Sequence, residues 1–264
     1  MIIDTHAHYD DEAFDADREE LLSSLAAAGI GRVIDVGSTR ESLPKIRELT
    51  RRYPFVYGAL GLHPDEVGDL TEETFAGIEE GLSDPKILAV GEIGLDYYWN
   101  KEARDVQIEA FRRQALLAIR HGLPIIIHSR EAAADTLSVV RELYGPGGPG
   151  AALPRKGVMH CYSYAAEQAG IYTRELGFFL GVGGVVTFKN SRKLKEVVAA
   201  TPLEYLLLET DCPYLSPVPF RGKRNSSLNL PYIIEEIASL KGLTPGEVEA
   251  AAEQNARRLF PGIK

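Results

Sequence analysis

The sequence begins with Met1-Ile2-Ile3-Asp4-Thr5-His6-Ala7-His8, a short apolar run that ends on two histidines. Seven more runs are likewise short, apolar and rich in β-branched residues. Together the eight runs cover residues 1–8, 32–37, 56–63, 87–95, 124–128, 157–160, 178–183 and 205–211. Amphipathic stretches typical of helices lie between them, for example residues 17–28, 42–53, 103–121 and 130–143. Apolar strands that alternate with helices predict a parallel sheet covered by helices.

Eight such units favour a closed (β/α)8 barrel, the TIM-barrel fold, as a single domain over residues 1–264, since these barrels take about 250 residues. The competing fold is an open doubly wound sheet, which usually carries a glycine-rich phosphate loop after an early strand. Val33-Ile34-Asp35-Val36-Gly37-Ser38 is not such a loop. We therefore predict the barrel, followed by helices over residues 230–241 and 245–259, the second with a capping box at Thr244 and Glu247.

Composition limits the possible classes of function. The net charge is -9, with 45% hydrophobic and 25% charged residues. A protein that coats long nucleic acid usually has a basic face, so a polyanionic substrate must here meet a local basic cluster or metal ions. The first ten residues lack signal-peptide features, and no run approaches the roughly 18 apolar residues of a membrane span. With only two cysteines, Cys161 and Cys212, we expect a cytoplasmic protein with no membrane partner; the sequence does not indicate an oligomeric state.

Residues able to bind metal stand at the ends of otherwise apolar strands. In a parallel barrel all strand C-termini meet at one rim, where catalytic groups of this fold lie. The residues concerned are His6, His8, His63, Glu92, His128, His160 and Asp211.

The spacing of His6 and His8 has a geometric reason. Residues i and i+2 of a strand point to the same face, so both imidazoles can converge on one ion such as zinc. The alternative is that they are ordinary strand-end histidines. Asp4, on the same face, suits a supporting hydrogen-bonding role.

Glu92 is a charged residue inside an apolar strand, which is costly unless the charge is paired or metal-bound. It is either half of a buried salt bridge or a carboxylate that bridges two ions about 3.5–4 Å apart. Asp96, four residues later, could orient a ligand or only cap the next segment.

His128 and His160 end two further apolar strands and, with Glu92, make a plausible second ion site. Asp211 ends the last strand, and barrel closure would set it beside His6 and His8. Glu209 shares the face of Asp211 and is either its support or a polar partner in the core.

Seven ordered segments resemble the TatD-type metal-dependent deoxyribonucleases of the amidohydrolase superfamily. They are Asp4-Thr5-His6-Ala7-His8, Gly61-Leu62-His63-Pro64, Gly91-Glu92-Ile93-Gly94-Leu95-Asp96-Tyr97-Tyr98, Ile127-His128-Ser129-Arg130, His160-Cys161-Tyr162-Ser163, Glu209-Thr210-Asp211-Cys212-Pro213-Tyr214-Leu215 and Arg221-Gly222-Lys223-Arg224-Asn225.

The resemblance implies a barrel with one to three divalent ions that hydrolyses phosphodiester bonds in DNA. By that implication the metal ligands are His6, His8, Glu92, His128, His160 and Asp211, while His63 meets the substrate phosphate or a further ion. We expect two ions (zinc, magnesium or manganese), with a third allowed for. The partner expected is DNA, single-stranded or at its 3' ends, cleaved as by a 3'-5' exonuclease.

One segment departs from the family. Many members follow the Arg-Asn pair with an acidic residue and proline, whereas this chain has Ser226-Ser227. The segment borders the substrate entrance in the family, so the change bears on substrate preference.

Residues around the metal ligands suggest how a substrate is held. Asp211, beside the attacking water, is the candidate proton acceptor, and with Glu92 it is our catalytic pair. Arg130, Arg221 and Arg224 are candidates to grip phosphates, the alternative being a solvated charged loop. The aromatic run Tyr97-Tyr98-Trp99 either stacks on unpaired bases or packs over the barrel end.

Two other classes of function remain. One is an amidohydrolase-type enzyme acting on an amide, lactone or ester. Such enzymes often carry a carboxylated lysine as a bridge between metal ions. Here Glu92 occupies the position on the fourth strand, and no lysine stands there. The other is a non-catalytic adaptor. An adaptor would be expected to have lost one or more metal ligands, whereas all six candidate ligands are present.

Overall fold

Eight parallel strands form a single sheet in sequence order in the computed structural model, which describes residues 1–99 and 103–264. The strands are β1 (Ile2–Ala7), β2 (Ile30–Val36), β3 (Val56–Leu60), β4 (Ile87–Asp96), β5 (Ile125–Arg130), β6 (Gly157–Met159), β7 (Phe179–Val182) and β8 (Leu206–Leu208). Each overlaps one of the eight predicted runs, so the predicted barrel is confirmed.

The barrel closes between β1 and the segment that follows β8. Ala7 forms a parallel bridge with Cys212. The His8 amide donates to the Cys212 carbonyl at 2.8 Å, and the Asp211 amide donates to the His6 carbonyl at 2.9 Å. These bonds bring Asp211 to the same rim as His6 and His8, although some 200 residues separate them in sequence.

Helices cover the outside of the barrel. They are α1 (Arg18–Ser24), α2 (Ser42–Arg52), α3 (Glu72–Gly81), α4 (Arg104–His121), α5 (Ala133–Tyr144), α6 (Ala166–Gly170), α7 (Arg192–Ala200), α8 (Leu230–Lys241) and α9 (Pro245–Leu259). The capping box of Thr244 and Glu247 at the start of α9 is present. The predicted helix from residue 130 begins later, at Ala133, because β5 continues to Arg130. Among the described residues, none of these helices combines the length and the apolar character that crossing a membrane requires.

The core has two layers, as alternation along the strands requires. The larger cluster joins strands to the surrounding helices. The smaller one takes a residue from every strand, such as Ile3, Ile126 and Leu207, and adds Leu259 and Phe260 from the end of α9. This second cluster fills the barrel, so the opposite, C-terminal rim is left for polar side chains.

Candidate metal centre

A cleft of about 950 Å³ opens at the C-terminal rim of the barrel. Among residues 1–99 and 103–264, its lining holds eight carboxylates but only one lysine and one arginine, Lys45 and Arg130. The carboxylates are Asp10, Asp11, Glu12, Asp65, Glu66, Glu92, Asp96 and Asp211. Such an excess of negative charge favours cations and repels a polyanion until cations are bound.

Four side chains from three parts of the barrel meet at the floor of the cleft. The His6 and His8 Nε2 atoms lie 3.1 Å apart. His6 Nε2 is 3.5 Å from Glu92 Oε2 and 3.8 Å from Asp211 Oδ1. His8 Nε2 lies 3.8 Å and 3.4 Å from the same two oxygens. The structure therefore gathers the first predicted ligand set.

Glu92 turns its second oxygen toward two other histidines. Oε1 lies 2.8 Å from His128 Nδ1 and 3.6 Å from His160 Nε2. His160 Nε2 is also 3.6 Å from Asp211 Oδ1, and its ring stacks on that of His6 with centroids 3.6 Å apart. The second predicted set is thus adjacent to the first, and Glu92 belongs to both.

The first set fits a divalent ion. Its nitrogen and oxygen atoms are separated by 3.1 to 3.8 Å, close to the roughly 3.3 Å between neighbouring ligand atoms of a tetrahedral ion with bonds near 2.0–2.1 Å. His8 Nδ1 lies 2.8 Å from the Val36 carbonyl oxygen, which can only accept a hydrogen bond. The proton of neutral His8 is therefore on Nδ1, and the Nε2 lone pair faces the carboxylates, as metal ligation requires.

Carboxylates also stand behind the histidines of the second set. Asp96 Oδ2 lies 3.0 Å from His128 Nε2, so Asp96 does orient a candidate ligand. Glu209 Oε2 lies 3.3 Å from His160 Nδ1, and its Oε1 accepts the Cys161 amide. The sequence suggested that Glu209 supports Asp211. In the structure Glu209 instead contacts His160 and the backbone of Cys161.

Electrostatics keep the carboxylates of the centre charged. Burial opposes ionisation of Glu92 and Asp211, but the surrounding histidines outweigh it and hold the pKa of both carboxyl groups below the usual range. Burial likewise opposes protonation of His8, yet Asp211 and Glu92 raise its pKa to about 10. A bound cation would take the place of such protons, since metal binding releases protons from its ligands.

A buried layer beneath the first set ties the barrel closure together. Asp4 accepts hydrogen bonds from Thr210 Oγ1 and Ser227 Oγ, both at 2.6 Å. Burial, only partly offset by these bonds, raises the pKa of Asp4 to about 7. Asn225 is also buried and donates to the Thr210 carbonyl at 2.9 Å. The segment that departs from the family pattern therefore reaches beneath the metal centre, and Ser227 is part of its support.

Two glutamines that the sequence reasoning missed hold the rim from α4. Gln114 pairs with both backbone groups of Leu62, at 2.9 and 3.2 Å. Gln107 pairs in the same way with Asp96, both distances being 2.9 Å. Both glutamines are buried. Their spacing of seven, which places them on one face of a helix, was the signal available in the sequence.

His63 lies beside the second set, with its ring centroid 4.3 Å from that of His128. Its Nδ1 accepts the Asp65 amide at 3.2 Å. Burial lowers the pKa of His63 to about 4, so the ring is neutral near pH 7 and carries its proton on Nε2. It lines the cleft as a hydrogen-bond donor, and its ligand-type atoms lie within 4.8 Å of those of Asp65 and Asp96.

The three arginines predicted to bind substrate occupy different places. Arg130 lines the cleft. Arg221 lies over the Phe188 ring and does not line the cleft. Arg224 forms an ion pair with Asp17 at 2.5 Å and is likewise outside the lining. Substrate binding by Arg221 and Arg224 stays a prediction that the geometry does not favour.

Backbone strain concentrates at the cleft. Asp211, Cys161 and Leu215 line it with φ angles of 56°, 44° and 53°. Non-glycine residues rarely adopt this left-handed region, at a cost of about 1–3 kcal/mol each, and such strain clusters at functional sites.

Comparison with known proteins agrees with this geometry. Residues 3–261 match the family described as TatD related DNase. A metal-dependent hydrolase of Bacillus subtilis (strain 168), YabD, is 43% identical over 260 residues, covering 98% of this chain and 99% of YabD. The crystal structure of YjjV, a TatD homologue from Escherichia coli K12, superposes with a TM-score of 0.90 at 32% identity and covers 98% of both chains. A protein of Cronobacter sakazakii called 3'-5' ssDNA/RNA exonuclease TatD is 32% identical over 252 residues, 94% of this chain and 93% of that one.

Proposed function

The chain belongs to the TatD family of metal-dependent hydrolases, and we propose that it is a deoxyribonuclease that hydrolyses the phosphodiester bonds of DNA. One observation carries the proposal. The two oxygens of Glu92 face two separate pairs of histidines, with Oε2 near His6 and His8 and Oε1 near His128 and His160. A carboxylate so placed can bridge two ions, the arrangement used by many phosphoesterases.

Two divalent ions account for the clustered ligands. The first would be held by His6, His8, Glu92 and Asp211, and the second by Glu92, His128 and His160. A third would be held by His63, Asp65 and Asp96, whose ligand-type atoms lie within 4.8 Å of one another. Mixed nitrogen and oxygen ligands suit zinc and manganese, and the carboxylates also suit magnesium.

Divalent ions, when bound, supply Lewis acidity that lowers the pKa of a coordinated water toward 7 and offsets the charge that develops on the phosphate. Asp211 takes the proton of the attacking water, because its carboxylate is ionised and stands within 3.8 Å of His6, His8 and His160. His63 donates a hydrogen bond from Nε2 to a phosphate oxygen and keeps its proton. Glu92 fixes the spacing between the two halves of the site.

Three observations support a nucleic-acid phosphodiester as the substrate. The acidic lining of the cleft repels a polyanion unless cations are bound, which suits a substrate held through metal ions. Arg130 stands at the cleft with no carboxylate within ion-pair distance among the described residues, so its charge is available to a phosphate. The Cronobacter relative is named for 3'-5' cleavage of single-stranded DNA and RNA, and we propose the same polarity and a single-stranded DNA substrate here.

The test uses 5'-labelled single-stranded DNA with chelated protein to which zinc, magnesium or manganese is returned in turn. We expect no hydrolysis after chelation and progressive shortening from the 3' end after at least one metal is returned. An RNA strand and a 3'-blocked DNA strand separate substrate class and polarity. Metal that binds in stoichiometric amount without hydrolysis of any strand would overturn the proposal and favour an amide, lactone or ester substrate.

A further inference from the structure

The loop after β4 exposes two large aromatic rings beside the metal centre. Trp99, the sole tryptophan of the chain, is 68% exposed, and Tyr98 is 51% exposed. Single exposed apolar groups are common, but adjacent ones at the edge of a cleft are typical of a binding surface. Trp99 stands in the lining of the same cleft as Glu92 and Asp211.

These rings form an ordered unit with Arg130. The guanidinium lies 3.8 Å from the Tyr98 ring centroid and 5.6 Å from that of Trp99. The two rings meet edge to face, with centroids 4.8 Å apart at 86°. The guanidinium covers the face of Tyr98, whereas most of Trp99 stays open. We call Tyr98, Trp99 and Arg130 the aromatic platform.

The backbone of the platform is fixed to the metal centre. Asp96 Oδ1 accepts the amides of Tyr98 and Trp99 at 2.8 and 3.2 Å. Its other oxygen holds His128. Tyr97 is turned away, because its hydroxyl donates to Asp135 at 2.8 Å. Of the three aromatic residues in this run, Trp99 lines the cleft and Tyr98 lies next to it beneath Arg130.

We propose that the aromatic platform binds a nucleobase next to the phosphodiester that is hydrolysed, with the base stacked on Trp99 and Arg130 on the neighbouring phosphate. The proposal rests on the nuclease activity proposed above. An open indole face accepts any base, and a guanidinium held by an aromatic ring is oriented for a phosphate. Bases in a duplex are already stacked, so the platform selects single strands.

The sole tryptophan gives a direct readout of this contact that does not depend on turnover. Metal-loaded protein is titrated with a thymidine octamer whose phosphorothioate linkages slow hydrolysis, and Trp99 emission is recorded. A matched octamer of abasic residues has the same linkages and charge but no bases. We expect the octamer with bases to quench Trp99 emission and the abasic octamer to quench it little. Equal responses, or no response from a protein that hydrolyses DNA, would overturn the platform.

Variants separate stacking from a structural role. We expect Trp99→Ala to raise KM for the unmodified octamer about tenfold, the scale of one base–aromatic stack, with kcat within twofold. Trp99→Phe keeps a stacking ring and should recover most of that loss. Leu116→Ala, at a partly exposed site on α4 outside the cleft, is the control. An unchanged KM in Trp99→Ala would overturn the platform alone, whereas wild-type protein that hydrolyses no nucleic acid would overturn both proposals.

Discussion

Asp96 and His128 are joined by a 3.0 Å contact between Oδ2 and Nε2, and this contact links the metal centre to the aromatic platform. The other oxygen of Asp96 receives the amides of Tyr98 and Trp99. Gln107 clamps the backbone of the same aspartate from α4. One buried residue thus positions a candidate metal ligand and a candidate base-binding loop together.

Substitution of Asp96 should separate these two tasks. Asp96→Asn keeps an oxygen for the loop amides but weakens the acceptor for His128, so we expect metal affinity to fall about 10–100-fold with little change in Trp99 emission. Asp96→Ala should disturb both. Competition against a chelating dye measures the metal affinity, and Trp99 fluorescence measures the state of the loop. Asp135→Asn, which alters the contacts of Asp135 with Tyr97 and Arg104 but none of His128, is the control. Equal metal affinity in all variants would contradict the positioning role.

Removal of the Asp211 carboxylate should abolish the proton acceptor. We expect Asp211→Asn to lower kcat by about 10²–10⁴-fold, the usual range for a general base. Metal content must be measured in parallel, since Asp211 is also a candidate ligand. Asp11→Asn, in the same cleft lining, should stay within a fewfold of wild type. Full activity of Asp211→Asn with normal metal content would rule out the role.

Loss of a rim glutamine should cost stability. Gln114→Ala leaves the buried amide and carbonyl of Leu62 without their partners, and we expect the free energy of unfolding to fall by about 3 kcal/mol. Urea unfolding at fixed metal concentration measures the change. Gln168→Ala removes a half-buried hydrogen bond to the Ala133 carbonyl and should cost about 1 kcal/mol. A similar loss of unfolding free energy in the two variants would show that the paired contact of Gln114 with Leu62 adds no more stability than one ordinary hydrogen bond.

Arginine substitutions should distinguish the cleft from the outer loop. We expect Arg130→Gln to raise KM and to reduce the slope of log KM against log salt by about one. Arg224→Gln should leave that slope close to wild type, because the guanidinium is paired with Asp17 and lies outside the cleft. A flattened slope in Arg224→Gln alone would restore the phosphate role that the sequence suggested for it.

The Asp17–Arg224 pair should give a pH-dependent contribution to stability. The Arg224 hydrogen bond lowers the pKa of the Asp17 carboxyl. A carboxyl whose pKa is depressed by folding stabilises the fold above its unfolded pKa of about 3.9, and this effect is lost as the pH falls through the folded value. Asp17→Asn should therefore lower Tm slightly at pH 7 and by less at pH 3.

The control for this pair is Asp69→Asn, an exposed aspartate without an ion pair among the described residues. Its Tm difference from wild type should not vary between the two pH values. A Tm difference for Asp17→Asn that grows toward low pH would contradict the assignment.

Much of the fold was predictable because its signals are local. Each strand is a short apolar run, and each candidate ligand stands near or just beyond the C-terminal end of one, except Glu92, which lies inside β4. Parallel strands share one rim, so strand position alone placed His6, His8, Glu92, His128 and His160 near each other. The helix boundaries were less certain, as at α5, where pairing with β4 extends β5 to Arg130.

The roles of individual polar side chains were less predictable. Arg130 follows an apolar strand and Arg224 lies in a loop, but the sequence does not show that Arg224 pairs with Asp17 while Arg130 lines the cleft. Tyr97 and Tyr98 are adjacent and of one type, yet the Tyr97 hydroxyl donates to Asp135 and the Tyr98 ring lies under Arg130. Gln107 and Gln114 read as ordinary polar positions of an amphipathic helix until the rim residues that they hold are known.

The amino-acid sequence by itself determined the barrel and the set of metal-capable residues, since both follow from the alternation of apolar strands and from residue chemistry. Only the tertiary structure decided that Asp211 completes the group begun by His6 and His8, that the two oxygens of Glu92 serve different histidine pairs, and that Trp99 lies open beside them. These relationships join residues distant in sequence through barrel closure and packing, and no local pattern records which long-range partners a side chain will meet.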